Sequence, residues 1–169
     1  IREGRSMKLT FPLIPVTGDT LLIPSYYKDT PPRYFISGGL LFQELSFGFM
    51  NIWGNDCADK ADKRLVFYAK NRWIYPEEDQ RRIVILNRVL PVAMNQGYHD
   101  MNNHVLLRVN GKKVRDLIHV KNLIQTSMDE FIFFEFAGNE NIVLRKNTLI
   151  SGTGSVLEQY GIQNAHNLE

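Results

Sequence analysis

The sequence is poor in the features that mark disulfide-bonded, membrane-spanning and nucleic-acid-binding proteins. Its single cysteine, Cys57, excludes an internal disulfide and leaves no thiolate cluster for zinc. The longest apolar runs are a few residues, far short of the roughly 20 residues that cross a bilayer. The net charge is +2, because 20 Lys and Arg residues are interspersed with 18 Asp and Glu residues. We therefore expect no membrane and no nucleic acid among the partners.

What the sequence does contain is enough apolar material for a packed core. Of its 169 residues, 44% are hydrophobic and 11% aromatic, and the charged share of 22% is ordinary, which argues against disorder of the whole chain. The length fits one compact domain, alone or with a substantial extension. The start at Ile1 and the closing pair Leu168-Glu169, typical of a dipeptide left by cloning, indicate a fragment of a larger protein.

The first quarter of the chain divides into a strand, a linker and a second extended stretch. Apolar and polar residues alternate over 7–13, which predicts a strand. Four prolines lie between residues 14 and 33, where they fix backbone angles and remove hydrogen-bond donors, so this stretch is interpreted as a linker. Residues 34–45 are strand-like, and Gly38 and Gly39 in the middle indicate a bulge or a close backbone approach.

Strand-forming residues recur later in the chain. Residues 64–69 and 82–90 are rich in Val, Ile, Phe and Tyr and are predicted as strands. The pair Asn110-Gly111 favours a tight hairpin turn over 105–114, because both residues readily take positive φ. A second hairpin is predicted over 131–145.

Helical signals are fewer. Asp116 can cap a helix through its carboxylate and is followed by an apolar stripe at a spacing of three and four residues: Leu117, Val120, Leu123 and Ile124. This helix is expected to end at about Thr126. One helical turn is predicted over 92–96, closed by Gly97, and a weaker helix over 155–160.

The order of these elements, together with two short motifs, resembles a PDZ domain of the HtrA/Deg type of serine protease. Val89-Leu90-Pro91 is similar to the family motif that ends a strand before a small helix, and residues 109–117 (VNGKKVRDL) are similar to the hairpin that leads into the groove helix. Residues 95–103 and 128–131 further resemble the second PDZ domain of plant Deg9-like proteases and their bacterial relatives. The resemblance implies an α+β, mostly β fold: a partly open β-barrel or sandwich of five to six strands with a groove helix and a short second helix.

The same resemblance implies domain boundaries. Residues 1–13 are similar to the last strand of a preceding PDZ domain, and 14–33 would connect the two domains. Residues 34–147 would form the PDZ-like domain, with an insertion near 48–71. Residues 148–169 would be a C-terminal extension.

Peptide binding is the activity that the resemblance implies. PDZ domains add an extended peptide as a strand to a sheet edge, and a glycine-containing loop receives the terminal carboxylate. The resemblance assigns this loop to Gly38, Gly39, Leu40, Leu41 and Phe42, where Leu41 stands in place of the family's second glycine. It assigns the accepting edge to residues 43–45, beginning with Gln43. It assigns the facing helix wall to His119, Val120, Leu123 and Ile124.

The residue pattern does not favour a catalytic site or a metal site. Ser37-Gly38-Gly39 is similar to the end of a chymotrypsin-like nucleophile loop, but Phe35-Ile36 replaces the residues that shape the oxyanion turn. His99, Asp100 and His104 could be drawn as a metal site, but no fourth ligand is near in the sequence. We therefore predict no catalytic residue, metal or cofactor, and expect the protease domain to lie outside this chain.

Two roles stay open for the domain. One is the capture of a peptide or an unfolded protein substrate for an attached protease domain. The other, favoured by the departure at Leu41, is homo-oligomer assembly through contacts with other PDZ or protease domains of the same protein. The insertion would supply aromatic contacts for assembly: Trp53, Phe67, Tyr68, Trp73 and Tyr75. The compartment stays open, and the resemblance is compatible with the periplasm or an organelle.

Overall fold

The computed structural model describes residues 10, 12, 20–24, 31–56, 61–71 and 80–169. In this part of the chain eight strands form one antiparallel sheet, in the order β7-β6-β4-β3-β2-β1-β8 with β5 paired to β4. The strands are β1 (Tyr34–Ser37), β2 (Leu40–Glu44), β3 (Val84–Val89), β4 (Asn102–Val109), β5 (Lys112–Lys113), β6 (Phe131–Phe136), β7 (Asn141–Arg145) and β8 (His166–Asn167). The predicted α+β, mostly β class is confirmed. β5 and β8 are two residues long; β5 belongs to the predicted hairpin over 105–114, whereas β8 is too short for a sequence pattern to reveal.

The helices connect and cover the sheet. They are α1 (Phe47–Met50), α2 (Lys63–Lys70), α3 (Leu117–Thr126), α4 (Lys146–Ser151) and α5 (Thr153–Gln159), with 3-10 turns at Asn51–Asp56 and Ala93–Asn95. The predicted cap of α3 is confirmed, because the Asp116 carboxylate accepts a hydrogen bond from the His119 backbone N–H at 2.7 Å. Among the described helices, none is long and apolar enough to cross a membrane.

The central strand β3 is buried on both faces. Successive side chains of a strand point to opposite faces, so the unbroken apolar run 83–86 contributes to two cores. Val84 and Leu86 join a first core beneath α3. Ile83 and Ile85 join a second core on the other face, beneath α1 and α2. The sheet is therefore a middle layer between two sets of helices.

Residues 64–69 form most of α2, and the predicted strand there is wrong. The Asp62 carboxylate accepts a hydrogen bond from the Arg64 backbone N–H at 2.8 Å and caps the helix. The helical turn buries Leu65 completely in the second core and leaves Phe67 54% exposed. Val, Phe and Tyr favour a strand, but the cap and the burial of one face outweigh that preference.

Residues 34–45 form a tight hairpin and not one bulged strand. Gly38 and Gly39 both have positive φ, 56° and 84°, as the two central residues of a type I′ turn do. β1 then pairs with β2 from Tyr34 opposite Gln43 to Ser37 opposite Leu40. Both later hairpins, over 105–114 and 131–145, are confirmed.

The predicted N-terminal strand over 7–13 lies outside the described residues, apart from isolated positions. Most of the proline-rich stretch 14–33 also lies outside them. Within that stretch Leu22 and Ile23 are buried in the second core. The predicted turn over 92–96 and the predicted C-terminal helix are confirmed by the 3-10 turn and by α5.

Candidate functional site

The elements assigned to the peptide site lie together. α3 packs across β1 and β2, and its inner stripe joins the first core, where Val120 and Ile124 are 0% and 1% exposed. Leu123 is half-buried against the same core. Val120 and Ile124 therefore hold the helix on the sheet, whereas Leu123 lies at the rim between helix and strand.

β2 is an inner strand, which corrects the expected free edge over residues 43–45. One side of β2 pairs with β3 and the other with β1. The Gln43 side chain accepts a hydrogen bond from the Asn87 amide. The cause is the tight turn at Gly38-Gly39, which folds the preceding residues directly onto β2. β1 thus occupies the position that an added peptide strand would take, with its carboxyl end at the glycine turn.

The other residues assigned to the binding loop belong to the core of β2. Leu40 and Phe42 are completely buried. The Phe42 ring lies between those of Phe35 and Phe134, with ring centres 6.4 Å and 5.5 Å away. Leu41 is half-buried. These contacts fix β1 and β6 to β2, and a ligand would have to displace core side chains to reach Leu40 or Phe42.

The glycine turn is covered from one side by the C-terminal helices. The Gly38 backbone N–H donates a hydrogen bond to the Thr153 hydroxyl at 3.0 Å. The Thr153 hydroxyl in turn donates to the Leu149 carbonyl at 2.8 Å. A Cβ added at Gly38 would lie 3.0 Å from the Leu149 side chain, which is completely buried. Thr153 and Leu149 therefore occupy the space beside Gly38 in which a bound carboxylate would have to lie.

Asn95 covers the turn from the other side. Its amide, completely buried, donates to the carbonyls of Gly38 at 3.0 Å and Leu90 at 2.9 Å. A Cβ added at Gly39 would lie 2.6 Å from the Leu90 carbonyl oxygen and in collision with the Asn95 amide. Gly39 is thus required by a close backbone approach, one of the two alternatives that its position in a strand indicates.

The outer edge of β1 carries the chain's own C-terminal segment. β8 pairs antiparallel with β1, and the Ile36 backbone N–H donates to the Ala165 carbonyl at 2.7 Å. The Tyr34 hydroxyl donates to the Asn164 carbonyl at 3.1 Å. This is β-augmentation of the kind by which a peptide binds, supplied here from within the chain.

The direction of β8 is opposite to the one that carboxylate capture at the glycines requires. His166 lies opposite Phe35 and Asn167 opposite Tyr34. Advancing along β8 therefore moves away from Gly38, the residue that follows β1. An antiparallel strand on this edge has its amino end, and not its carboxyl end, at the glycine turn.

One side chain of the groove helix contacts the augmenting segment. Lys121 of α3 lies with its Nζ 2.9 Å from Nε2 of His166. The ammonium group can only donate, so the imidazole nitrogen is the acceptor of this hydrogen bond. Lys121 thereby links the helix to the strand that covers β1.

A buried carboxylate fixes the beginning of α3 against β2. Glu44 lies 3.7 Å from both the Arg33 and the Arg82 guanidinium groups, and its carboxylate accepts a hydrogen bond from the Leu117 backbone N–H. Burial raises the pKa of Glu44, and the two arginines act in the opposite direction. The hydrogen bond from Leu117 therefore ties the first residue of the groove helix to β2, in addition to the packing of its apolar stripe.

Comparisons with known proteins agree with this geometry. A sequence profile described as PDZ domain matches residues 23–168. The chain belongs to the PDZ domain family. It is 33% identical over 162 residues to "Protease Do-like 2, chloroplastic" of Arabidopsis thaliana. The aligned residues cover 96% of this chain and 25% of the relative.

More distant similarity extends to other proteases of the Do type. "Putative protease Do-like 12, mitochondrial" of Arabidopsis thaliana is 24% identical over 98% of this chain and 28% of its own length. "Serine protease DegP homolog" of Plasmodium falciparum is 26% identical over 74% of this chain and 13% of its own length. This PDZ domain thus spans about a quarter or less of such relatives, and its resemblance to the PDZ region of HtrA/Deg proteases is confirmed.

The histidines of the PDZ domain have structural contacts in the described structure. The His119 Nδ1 accepts a hydrogen bond from the Arg115 backbone N–H at 3.3 Å, and burial lowers its pKa, with Arg115 acting in the same direction. His99 Nε2 lies 3.0 Å from the Asn95 Oδ1, and the His104 ring packs edge-on against Phe136. Among the described residues no group of three or more His, Cys, Asp or Glu could hold a metal.

Sequence reasoning missed Lys121 and the segment 164–167 as parts of the site. A lysine on a helix flank is ordinary, and the Asn-Ala-His-Asn tail has no alternating apolar pattern that would predict a strand. Its pairing with β1 depends on where α5 ends. No signal in the sequence would have identified it.

Proposed function

We propose that this PDZ domain mediates the protein–protein contacts that assemble and regulate a Deg-type serine protease, whose trypsin-like catalytic domain lies outside the chain. The observation that carries the proposal is the helical insertion, which exposes large apolar side chains on a supported surface. Ile52 is 70% exposed, Phe67 54% and Phe47 36%. Aromatic residues are enriched in the cores of protein interfaces.

The insertion is held firmly enough to serve as a docking surface. Met50 and Leu65 lie in the second core, and Phe49 packs edge-on against Trp53 with ring centres 5.5 Å apart. The exposed side chains therefore project from elements that the core fixes. Two further aromatic residues of the assembly hypothesis, Trp73 and Tyr75, lie outside the described residues.

The covered edge of β1 also favours assembly over constitutive peptide capture. A partner domain that docks on the insertion needs no free strand edge. A substrate peptide that docks on β1 has to displace residues 165–167, which are tethered nearby and compete at a high effective concentration.

Light scattering on the chain, alone and mixed with the PDZ domain that precedes it in its parent, tests assembly. We expect a stable mixed complex that Phe67→Ser weakens about tenfold or more, because truncating an interface aromatic commonly removes more than about 1.4 kcal/mol. Phe131→Ser is the matched control, since Phe131 is 44% exposed on β6. Equal losses in both variants, or no complex at all, would refute the role of the insertion.

Peptide capture by β-augmentation remains the second candidate, and the pairing of β8 with β1 favours it. That pairing demonstrates that the outer edge of β1 can accept a strand. A chain that ends at Ile162 exposes this edge. Screening this shortened chain against a peptide library tests capture, and failure of every peptide to bind would remove this candidate while leaving the assembly role intact.

A further inference from the structure

We infer that Asn110 is a modification site: the folded domain protects it from deamidation, and its conversion to aspartate or isoaspartate loosens the end of α3. Asn110-Gly111 is the only Asn-Gly pair in the sequence, and it forms the tip of the hairpin between β4 and β5. The site is separate from the β1 edge and from the helical insertion, so it goes beyond both proposed functions.

Deamidation at this pair needs no reagent other than water. The Gly111 backbone nitrogen attacks the Asn110 Cγ, a C–N bond forms as that nitrogen gives its proton to solvent, and the Cγ–Nδ2 bond breaks to release ammonia. Water then opens the cyclic imide at either carbonyl, which leaves aspartate or isoaspartate. Gly111 has no Cβ to obstruct ring closure, and it is exposed to solvent. The pair is therefore chemically suited to the reaction.

The hydrogen bonds of the Asn110 side chain oppose ring closure. Its Oδ1 accepts from the Phe133 backbone N–H at 2.6 Å. Its Nδ2 donates to the Asp129 carboxylate at 2.7 Å and to the Ser127 hydroxyl at 3.1 Å. These bonds orient the amide toward the turn over 127–130, and ring closure at Gly111 has to break them. Protection of Asn110 therefore depends on that turn.

The turn over 127–130 is itself fixed at the end of α3. The Ser127 N–H donates to the Leu123 carbonyl at 3.2 Å and closes the helix. The Ser127 hydroxyl donates to the Asp129 carboxylate at 3.0 Å and accepts from the Asp129 N–H at 3.1 Å. The Lys146 Nζ donates to the Ser127 carbonyl at 2.5 Å. Asn110 thus stays closed as long as the end of α3 is in place.

The product of deamidation does not fit the closed site. Where the neutral amide donates at 2.7 Å to the Asp129 carboxylate, aspartate presents a second carboxylate oxygen. Two carboxylates this close either repel each other or have to take up a proton. Isoaspartate adds a carbon atom to the backbone of the turn and displaces it. Conversion at Asn110 therefore loosens the turn that Ser127 shares with the end of α3.

Peptide mapping by mass spectrometry, after incubation at mildly alkaline pH, tests the protection. We expect the folded chain to deamidate at Asn110 at least about tenfold more slowly than the chain unfolded in urea, because the site reacts from its open state. Asp129→Ala removes an acceptor and should raise the folded rate about tenfold, the usual weight of a hydrogen bond to a charged group. Asp129→Asn is the matched control, since its side-chain oxygen still accepts, and its rate should stay within about threefold of the parent rate.

Three results would overturn the protection. Equal rates in the folded and the unfolded chain would mean that the fold does not close the site. A parental rate in Asp129→Ala, in a variant that is folded by circular dichroism, would mean that the bond to Asp129 does not matter. Equal acceleration in Asp129→Ala and Asp129→Asn would mean that the charge of residue 129, and not its hydrogen bond, controls the reaction.

The effect on α3 is tested with the product built into the chain. Asn110→Asp should speed hydrogen exchange of the Ser127 and Phe133 amides about tenfold, because the paired carboxylates open the turn. Asn110→Asp combined with Asp129→Asn supplies an amide that donates to the new carboxylate, and exchange should return to within about threefold of the parent rate. Unchanged exchange in Asn110→Asp, or no recovery in the double variant, would overturn the loosening of α3. These measurements involve no partner, so the assembly and capture proposals are judged separately.

Discussion

The described part of the chain contains two two-residue hairpin turns with similar φ angles and very different surroundings. Gly38 and Gly39 have φ of 56° and 84°, and Asn110 and Gly111 have φ of 48° and 73°. A Cβ added at Gly39 would collide with the Asn95 amide and the Leu90 carbonyl, whereas one added at Gly111 would meet nothing within 4 Å. One turn is part of the interior and the other projects into solvent.

The difference separates two reasons for a glycine. At Gly111 only the positive φ favours glycine, since another L-residue there is strained. At Gly39 glycine is favoured both by the positive φ and by the lack of space for a Cβ. The buried turn also has the composition expected of a carboxylate-binding loop, so a glycine required by packing can be mistaken for one required by a ligand.

The largest expected effect is that of Gly39→Ala. The methyl group has to push aside a backbone carbonyl 2.6 Å away and the Asn95 amide while adopting a φ of 84°. Overpacking and backbone strain together should lower the free energy of unfolding by about 3 kcal/mol or more. Urea denaturation monitored by circular dichroism measures the loss. A loss below about 1 kcal/mol would contradict the close approach.

Asn95→Ala should have the next largest effect. It leaves the Gly38 and Leu90 carbonyls and the Val92 N–H without the bonds of 2.9 to 3.0 Å that the side chain now makes. Unpaired buried polar groups should lower the free energy of unfolding by about 2 to 3 kcal/mol.

A double-mutant cycle and an exposed control sharpen this prediction. Because one of the collisions at Gly39 is with Asn95 itself, the two substitutions together should cost less than the sum of each alone. Strictly additive losses would contradict the contact. Asn102 is exposed, and its side-chain amide donates a hydrogen bond to the nearby Asp100 carbonyl. As the control, Asn102→Ala should change the free energy of unfolding by less than about 0.5 kcal/mol.

The two turns also mark how far the sequence predicts the structure. The Asn110-Gly111 hairpin, the cap at Asp116 and the hairpin over 131–145 depend on neighbours within a few residues, and local patterns predicted them. The buried turn depends on Asn95, more than 50 residues away along the chain. Local patterns therefore indicated something unusual at Gly38 and Gly39 but not what fills the space.

The candidate site was harder to predict than the fold for the same reason. The resemblance assigns Leu40 and Phe42 to a loop and Gln43 to an edge, because the family pattern places an added strand beside β2. That position is taken by β1, which folds back through the glycine turn. Helix α2 was missed because the burial of Leu65 depends on a sheet formed later in the chain.

Asn110→Gly should have a smaller effect than either change at the buried turn. Glycine keeps the positive φ but loses the side chain, which accepts from the Phe133 N–H at 2.6 Å and donates to Asp129 at 2.7 Å and Ser127 at 3.1 Å. We expect a loss of about 1 to 2 kcal/mol in the free energy of unfolding. A loss near zero would mean that the turn angle alone explains this asparagine.

Apart from the exposed control Asn102→Ala, Gly111→Ala should have the smallest effect, and it provides the reference for the changes at the buried turn. Its added methyl group meets open space, so the φ of 73° is the sole source of strain, and the loss should be about 1 kcal/mol. Measured by the same urea denaturation, the loss for Gly39→Ala minus the loss for Gly111→Ala then isolates the contribution of packing, since the backbone term is common to both. If the two alanine variants lose equal stability, the buried turn can yield to a side chain. A movable turn would also leave room for a ligand at Gly38, and carboxylate capture would become the better account of these glycines.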